Sequence, residues 1–568
     1  MNLVRLAVRR SSRYLPMSLI MAALALLALL PIGMLVYASI VDVVPRPGST
    51  GGELTGEWYR QLLNPAYYAA ARDSLLIAIG GTVLALVFGA GLAWLAARTN
   101  VPGKWLVQLA GVVPLFTSSL VGALAWGFLG SPKQGFLNIL LRPIGLDVIN
   151  IYSVWGIVFV FGLYYAPYAF LLIYSALSLM NPELEESART HGASNFTVMR
   201  TVTLPLVSPA IIGAWLLSFA LIMENFPVPT VLGTPSGVNT LPTLIYRLMS
   251  AAPPKSNQAA AVGVLLMALL IVIIYVQRRI LSRKEYTTVS GKGFRPRIIE
   301  LGGWRWAGFG FALLYIVLAV ALPVLALAQM AFRTNPYIAG PSDLFDPAAF
   351  GLDSFLELVE YTPFQTGLVN SVLVSVGVAL LGVAFCFAMA FTVARSHLPG
   401  RQAIEYVAML PVAVPAVVMG IGVLWSWFLL PIPIYGTLLI LMIAYIGRFM
   451  PQGFTSIASS IRQVHPDLEE SAVISGASRV RSSVEVTVPL IRSSVISAAL
   501  LLMILSFREL SVALFLFTTE TRVLSIVIFD FWVGGSLARA AAASLLYSLL
   551  LTVVVLATRR WMGVKSAD

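Results

Sequence analysis

Five polar side chains within long apolar runs are the residues of this chain best suited to chemistry. They are Glu224, Asn225, Arg448, Arg508 and Glu509. A charge at the centre of a membrane-spanning helix costs roughly 2.5 to 3.5 kcal/mol on insertion scales, so such residues usually pair or line a path for a polar solute. The sequence leaves both interpretations open: a translocation path between two repeats, or ion pairs that only hold those repeats together.

The sequence shows no pattern typical of an enzyme. It lacks the phosphate-binding loop G-x-x-x-x-G-K-[ST], because neither Gly103-Lys104 nor Gly291-Lys292 has a glycine five residues earlier. The single cysteine, Cys386, excludes an intrachain disulfide and a thiolate metal cluster. We therefore expect a chain with no catalytic residues and no cofactor of its own, while a metal site stays undetermined.

Composition places the chain in a membrane. Hydrophobic residues make up 58% of its 568 residues and charged residues only 11%, whereas soluble domains average about 25% charged residues. Apolar runs recur along its length, and the ~10-residue alternation of a membrane barrel is not seen. The sequence thus predicts an all-α membrane protein with about 12 transmembrane helices of roughly 20 residues or more. The predicted spans are 15–41, 74–97, 105–129, 152–180, 206–232, 259–276, 306–330, 371–394, 403–430, 435–461, 490–517 and 540–557.

Positive charges set the expected orientation of these helices. Four arginines precede the first helix, and basic segments then alternate from loop to loop, which by the positive-inside rule places both termini in the cytoplasm. The formal net charge of +12 could also suggest a nucleic-acid partner. Beside membrane-spanning helices, however, the basic segment 278–305 is typical of a cytoplasmic loop, so no nucleic-acid partner is expected.

Two polar segments, 181–211 and 465–495, interrupt the apolar pattern at equivalent places, with Gly192 and Gly476 lying 284 residues apart. Both contain Glu-Glu-Ser-Ala, a glycine six residues after the second glutamate and a proline thirteen residues after that glycine. Glycine ends helices where φ turns positive, so each segment is predicted to be a cytoplasmic helix–glycine–helix elbow whose second helix ends near the proline. A passive loop and a DNA-reading helix-turn-helix are alternatives. The duplication and the flanking spans disfavour them.

The rest of the chain repeats as well. Residues 97–104 correspond to residues 394–401, at an offset of 297 residues. Six helices in each half make the two copies run in parallel through the membrane. The predicted halves are 1–285, with an elbow near 181–206, and 286–568, with an elbow near 465–490.

The elbows resemble the cytoplasmic signature loop of the permease subunits of binding-protein-dependent ABC importers. That loop reads Glu-Ala-Ala, three residues, Gly, nine residues and Ile-x-Leu-Pro. Serine replaces the first alanine in both copies here, and Val488 replaces the leucine in the second. The resemblance implies the type I ABC importer permease fold. It also implies a role in coupling to an ATPase for Glu186, Ala188, Gly192, Pro205, Glu470, Ala472, Gly476 and Pro489.

The two-half arrangement is similar to that of the fused permeases of the ferric-iron group. It implies one copy of this chain in the bacterial inner membrane, in contact with lipids, two copies of an ABC ATPase subunit that hold ATP and Mg²⁺, and a periplasmic substrate-binding protein. Ferric iron is then the first candidate solute, with thiamine, phosphonate, a polyamine or another small organic ion as alternatives. An ion-coupled secondary transporter would also have twelve spans in parallel halves, but it needs no docking loop for an ATPase.

Overall fold

The computed structural model describes residues 15, 17–44, 52–146, 148–282, 298–338, 340–396, 398–430 and 432–561. Within these ranges the secondary structure is helical, apart from three isolated bridges between single residues. Nine of the helices described are long and apolar enough to cross a membrane, and the number rises to twelve when each of three bent pairs counts as one span. The predicted all-α architecture of about 12 spans is therefore confirmed. The predicted boundary between the halves, at 285–286, lies outside the described residues.

The twelve spans are numbered in chain order. They are Met17–Ile40, Pro65–Arg98, Lys104–Phe116 with Ser119–Gly130, Val154–Ser178, Asn195–Met223, Ser256–Gln277, Trp304–Ala331, Thr362–Arg395, Arg401–Ala413 with Ala416–Leu429, Leu438–Gln463, Ser483–Leu490 with Arg492–Phe507, and Leu537–Val554. Shorter helices connect them, namely Glu57–Gln61, Phe136–Leu141, Glu183–Thr190, Pro227–Gly233, Leu241–Met249, Pro341–Leu344, Asp353–Glu360, Asp467–Ile474 and Leu524–Val533.

The third and ninth spans are broken in the same place. Their two pieces are bent against each other by 102° and 116°, at the matched prolines Pro114 and Pro411, whose positions in the sequence predict breaks in these spans. The same prediction is wrong for Pro167 and Pro451, which lie inside continuous helices. Each proline lies in the 3₁₀ turn that ends the first piece. Proline lacks a backbone N–H and its ring crowds the preceding turn, so the helix ends within a few residues of it.

The fifth span corrects a prediction. The second helix of the first elbow does not end near Leu204-Pro205; it continues as one helix from Asn195 to Met223. A π-helical turn, Met199–Thr203, lies directly before this proline. The wider turn accommodates the proline ring, so the helix passes through without a break. In the second half the matching helix is bent by 76° between Leu490 and Arg492, so there the second helix of the elbow does end near its proline, Pro489, as predicted.

The first span of each half packs against the broken span of the other half. The first span lies along Ala416–Leu429, and the seventh span lies along Ser119–Gly130. Tyr315 of the seventh span also donates a hydrogen bond to the backbone carbonyl of Leu163, at 2.7 Å. The halves are therefore wrapped around one another, which brings residues far apart in sequence into one centre.

The packing of the first span against the ninth span depends on close approach of their backbones. A Cβ atom at Gly422 would lie 2.5 Å from the carbonyl oxygen of Pro31 in the first span. We expect Gly422→Ala to weaken the packing of the first span by about 1–3 kcal/mol, because neither backbone can move away freely. The measurement is the thermal unfolding midpoint of the purified chain. Gly33→Ala in the same span, where a Cβ atom meets nothing within 4 Å, is the control and should leave that midpoint unchanged.

Candidate functional site

The two elbows have the predicted helix–glycine–helix form. In the first, Asn181 accepts a hydrogen bond from the Glu183 backbone N–H at 2.9 Å, and the helix Glu183–Thr190 follows. Gly192 then takes a φ of +84°, which favours glycine. The side chain of Ser194 caps the next helix by accepting from the Thr197 backbone N–H at 3.2 Å.

The second elbow repeats this geometry with different side chains. Its first helix is Asp467–Ile474, and Gly476 has a φ of +98°. Ser478 accepts from the Arg481 backbone N–H at 3.2 Å. The same local chemistry at a distance of 284 residues therefore gives the same turn twice.

Most of the predicted coupling residues lie on the outside of the elbows. Glu186, Pro205, Glu470 and Pro489 are exposed, and Ala188 and Ala472 are half-buried. Large apolar side chains are exposed beside them, namely Leu184, Phe196, Leu468 and Ile474. Exposed apolar groups next to carboxylates form the kind of surface that a protein partner can cover.

The glutamate that precedes each signature glutamate is buried, and the sequence analysis missed it. Glu185 accepts hydrogen bonds from the guanidinium of Arg98, at the end of the second span, and from the hydroxyl of Thr203 at 2.7 Å. Arg98 and Glu185 are only 1% and 3% exposed. A buried carboxylate needs such partners, because losing one leaves an uncompensated charge.

The same three residue types meet in the second half. Glu469 accepts from Arg395 Nε at 2.9 Å and from the Thr487 hydroxyl at 2.7 Å. Arg395 also donates to the carbonyl oxygens of Ile461 and Val464, at the end of the tenth span. We call these two arginine–glutamate–threonine sets the first and second clamps. Arg98 and Arg395 lie within the repeat at offset 297, so the duplication was the available signal.

Apart from the two clamps, a further group of polar side chains lies between the two halves. Arg448 of the tenth span donates to Glu224, which follows the fifth span, at 2.5 Å. Its other terminal nitrogen donates to the carbonyl oxygens of Pro411 and Val414, at 3.2 and 2.7 Å, where the ninth span is broken. Both charged side chains are 11% exposed. Arg448 therefore joins the first half to the break in the ninth span.

Arg508 has the matching role at the other break. It follows the eleventh span and donates to the carbonyl oxygens of Leu115 and, at 3.0 Å, Thr117 in the third span. Carbonyls released by a broken helix need donors, because lipid supplies none. Thr117 and Val414 are 297 residues apart, so both guanidinium groups serve equivalent carbonyls of the repeat.

Asn225 and Glu509, at matched positions of the repeat, each accept a hydrogen bond from the backbone three residues later. Asn225 Oδ1 accepts from the Val228 backbone N–H at 3.1 Å, and Glu509 Oε1 accepts from the Val512 backbone N–H at 3.0 Å. Asn225 also donates to the Tyr165 hydroxyl at 2.9 Å. These two residues therefore fix the turns that follow Glu224 and Arg508. The five polar residues together are called the polar centre below.

The described residues contain no group of three or more histidine, cysteine, aspartate or glutamate side chains that could hold a metal ion. Cys386 is buried, with its sulfur 3.6 Å from the carbonyl oxygen of Met450. Two elbows are therefore connected to one polar centre, the first through the continuous fifth span and the second through the bent eleventh span.

Comparison with known proteins places these features in context. Residues 81–285 and 382–562 both match the family described as binding-protein-dependent transport system inner membrane component. The ferric transport system permease protein FbpB of Actinobacillus pleuropneumoniae is 25% identical over 85% of this chain and 68% of its own length. The spermidine/putrescine transport system permease protein PotC of Escherichia coli strain K12 is 28% identical over 34% of this chain and 68% of its own. A solved bacterial ABC transporter involved in alginate import aligns at 21% identity over 41% of this chain and 85% of that one, with a TM-score of 0.35.

Proposed function

Because the chain belongs to the family of binding-protein-dependent transport system inner membrane components, we propose that it carries a small polar solute from a periplasmic binding protein to the cytoplasm by alternating access. It is a multi-pass permease of the inner membrane, with two family domains fused in one chain. The proposed halves are 1–285 and 286–568, and both termini lie in the cytoplasm, as the basic residues near them favour.

The duplicated elbow is the observation that carries this proposal. Each elbow is a short helix with an exposed carboxylate and apolar surface, anchored by a clamp to the ends of spans. Two such surfaces on one chain suit two copies of an ABC ATPase subunit, which supply the ATP and Mg²⁺. An ion-coupled carrier would have no use for either surface.

The polar centre is the proposed translocation path. It lies where the two halves meet, which is where transporters usually place the solute. In the present conformation Glu224 and Arg448 bind each other across the halves, so the centre is closed by its own side chains. Transport requires the contact between Glu224 and Arg448 to break. The two residues then form an ion pair in the closed conformation and line the path in the open one.

Ferric iron is the proposed solute. The support is the relative from Actinobacillus pleuropneumoniae, whose name describes ferric transport and which aligns along most of the chain. The alignment with the spermidine/putrescine permease supports a polyamine as the second candidate.

Deletion of this chain should remove most of the high-affinity uptake of ferric iron by the cells that carry it. The measurement is accumulation of radioactive iron by iron-starved cells, with and without a plasmid that restores the chain. Spermidine uptake, measured in the same cells, is the control for the alternative solute. Loss of spermidine uptake with unchanged iron uptake would reject iron in favour of the polyamine.

A further inference from the structure

Resting on the proposed function, we propose that Glu185 and Glu469 are positioning residues that transmit the movement of each elbow to the polar centre. They are not the exposed signature glutamates, which face outward. Each holds an elbow helix to the neighbouring spans, so that an ATPase that displaces the elbow also displaces the helix leading to Glu224 or Arg508.

The first clamp joins three elements through one carboxylate. One oxygen of Glu185 binds Arg98 at the end of the second span, and the other binds Thr203 at the start of the fifth. Parting these groups would leave a charge without compensation in a buried place. The elbow helix and the two spans are therefore expected to move as one body.

The threonines owe their position to π-helical turns. Thr203 is the last residue of the turn Met199–Thr203, and Thr487 is the last residue of the turn Ser483–Thr487. Such turns are rare and occur often at functional sites. A π turn at the same register in both halves directs a hydroxyl to the buried glutamate each time, which local helix stability alone does not require.

The far end of each clamped helix carries a charged residue of the polar centre. The fifth span is one helix of 29 residues, Asn195–Met223, and Glu224 comes next. Glu224 lies 21 residues after Thr203, or about 32 Å along the helix at 1.5 Å per residue, so a small tilt at the clamp displaces the carboxylate that binds Arg448. The eleventh span leads in the same way to Arg508, but through its 76° bend.

The first clamp is therefore connected to the polar centre more directly than the second clamp. A continuous helix passes a tilt along its whole length, whereas a bent one absorbs part of it at the bend. The second clamp is also less enclosed, since Arg395 and Glu469 are 13% and 11% exposed. We therefore expect Glu185 to matter more than Glu469 for opening the centre.

The test follows two distances by spin labels in the complex with its ATPase subunits, in lipid nanodiscs. All variants carry Cys386→Ser, which removes the single native cysteine of this chain, and they are labelled before the ATPase subunits are added. His191→Cys with Ser475→Cys, at the ends of the two short elbow helices, reports on the elbows, and Ser236→Cys with Glu520→Cys reports on the opposite side. Both pairs are exposed and lie 284 residues apart. Distances are compared without nucleotide and with ATP and Mg²⁺ under conditions that block hydrolysis.

In the otherwise unaltered chain, ATP should change both distances. With Glu185→Gln and Glu469→Gln, the elbow distance should still respond while the response on the opposite side is reduced at least about fivefold, the lower range of site-to-site coupling. Glu405→Gln, which removes an exposed ion pair with Arg462, is the matched control and should leave both responses intact. A full response on the opposite side in the glutamine variants would overturn the proposal.

A second pair of variants guards against loss of folding. Thr203→Val with Thr487→Val removes one hydroxyl from each clamp at nearly constant shape, and should reduce the same response. Thr203→Ser with Thr487→Ser keeps the hydroxyl and should restore it, which a role in packing alone does not explain. Equal responses in the valine and serine variants would also overturn the proposal. If the chain without these substitutions retains no ATPase subunit, the proposed function itself fails, and that result is separate.

Discussion

Gly192→Arg combined with Gly476→Arg should abolish retention of the ATPase subunits while leaving the permease in the membrane. Both glycines have a positive φ, +84° and +98°, and a side chain there costs roughly 1–2 kcal/mol per residue. A Cβ atom at either position meets nothing within 4 Å, so the arginine side chain itself would project from the elbow into the space that the partner must occupy. Co-purification of the ATPase with the tagged permease is the measurement.

Gly237→Arg is the matched control for this experiment. Gly237 also has a positive φ, +75°, and a Cβ atom there meets nothing within 4 Å, but it lies in the connection after the fifth span, away from both elbows. It should cost similar backbone strain without affecting the ATPase. If the double variant retains the ATPase as well as this control does, the elbows are not the docking surfaces.

Arg448→Met should destabilise the chain by about 3–5 kcal/mol, the usual result of removing one partner of a buried ion pair. It leaves Glu224 without its partner and takes the donor away from the carbonyls of Pro411 and Val414. The measurement is the thermal unfolding midpoint of the purified permease. An unchanged midpoint would show that the contact contributes nothing to the closed conformation.

Exchanging the two charges separates the ion pair from the carbonyl contacts. Glu224→Arg with Arg448→Glu restores opposite charges across the halves, but a carboxylate at 448 cannot donate to the broken ninth span. Recovery of the unfolding midpoint should therefore be partial.

Glu224→Gln separates the two interpretations of the polar centre. A role in the translocation path predicts reduced solute uptake at a nearly unchanged unfolding midpoint, whereas a purely structural ion pair predicts that uptake and midpoint fall together.

Local properties of the sequence were enough to predict the spans and the elbows. Apolar length indicates a membrane helix wherever it occurs, and the breaks fall beside Pro114 and Pro411 because proline acts on its own turn. Gly192 and Gly476 likewise set the elbows through their own backbone angles. The same family model matches residues 81–285 and 382–562, which confirms the predicted duplication.

Prediction failed where helix ends depend on neighbouring turns. A π turn precedes the proline in both halves, yet the fifth span continues unbent from Pro205 to Met223, whereas the equivalent helix in the second half bends after Leu490. The same Glu-Glu sequence also concealed which glutamate was buried. A sequence motif shows two carboxylates, but only packing against the second span places Glu185 inside and Glu186 outside.

The sequence by itself determined that this protein is a duplicated membrane permease with two elbows, because apolar length, glycine, proline and positive charge act over a few residues. Only the tertiary structure decided the partners of its charges. Glu224 meets Arg448 across 224 residues, and Arg508 meets Leu115 across 393. Such contacts depend on how two halves wrap around each other, and a buried charge takes whichever donor or carbonyl that packing brings within reach.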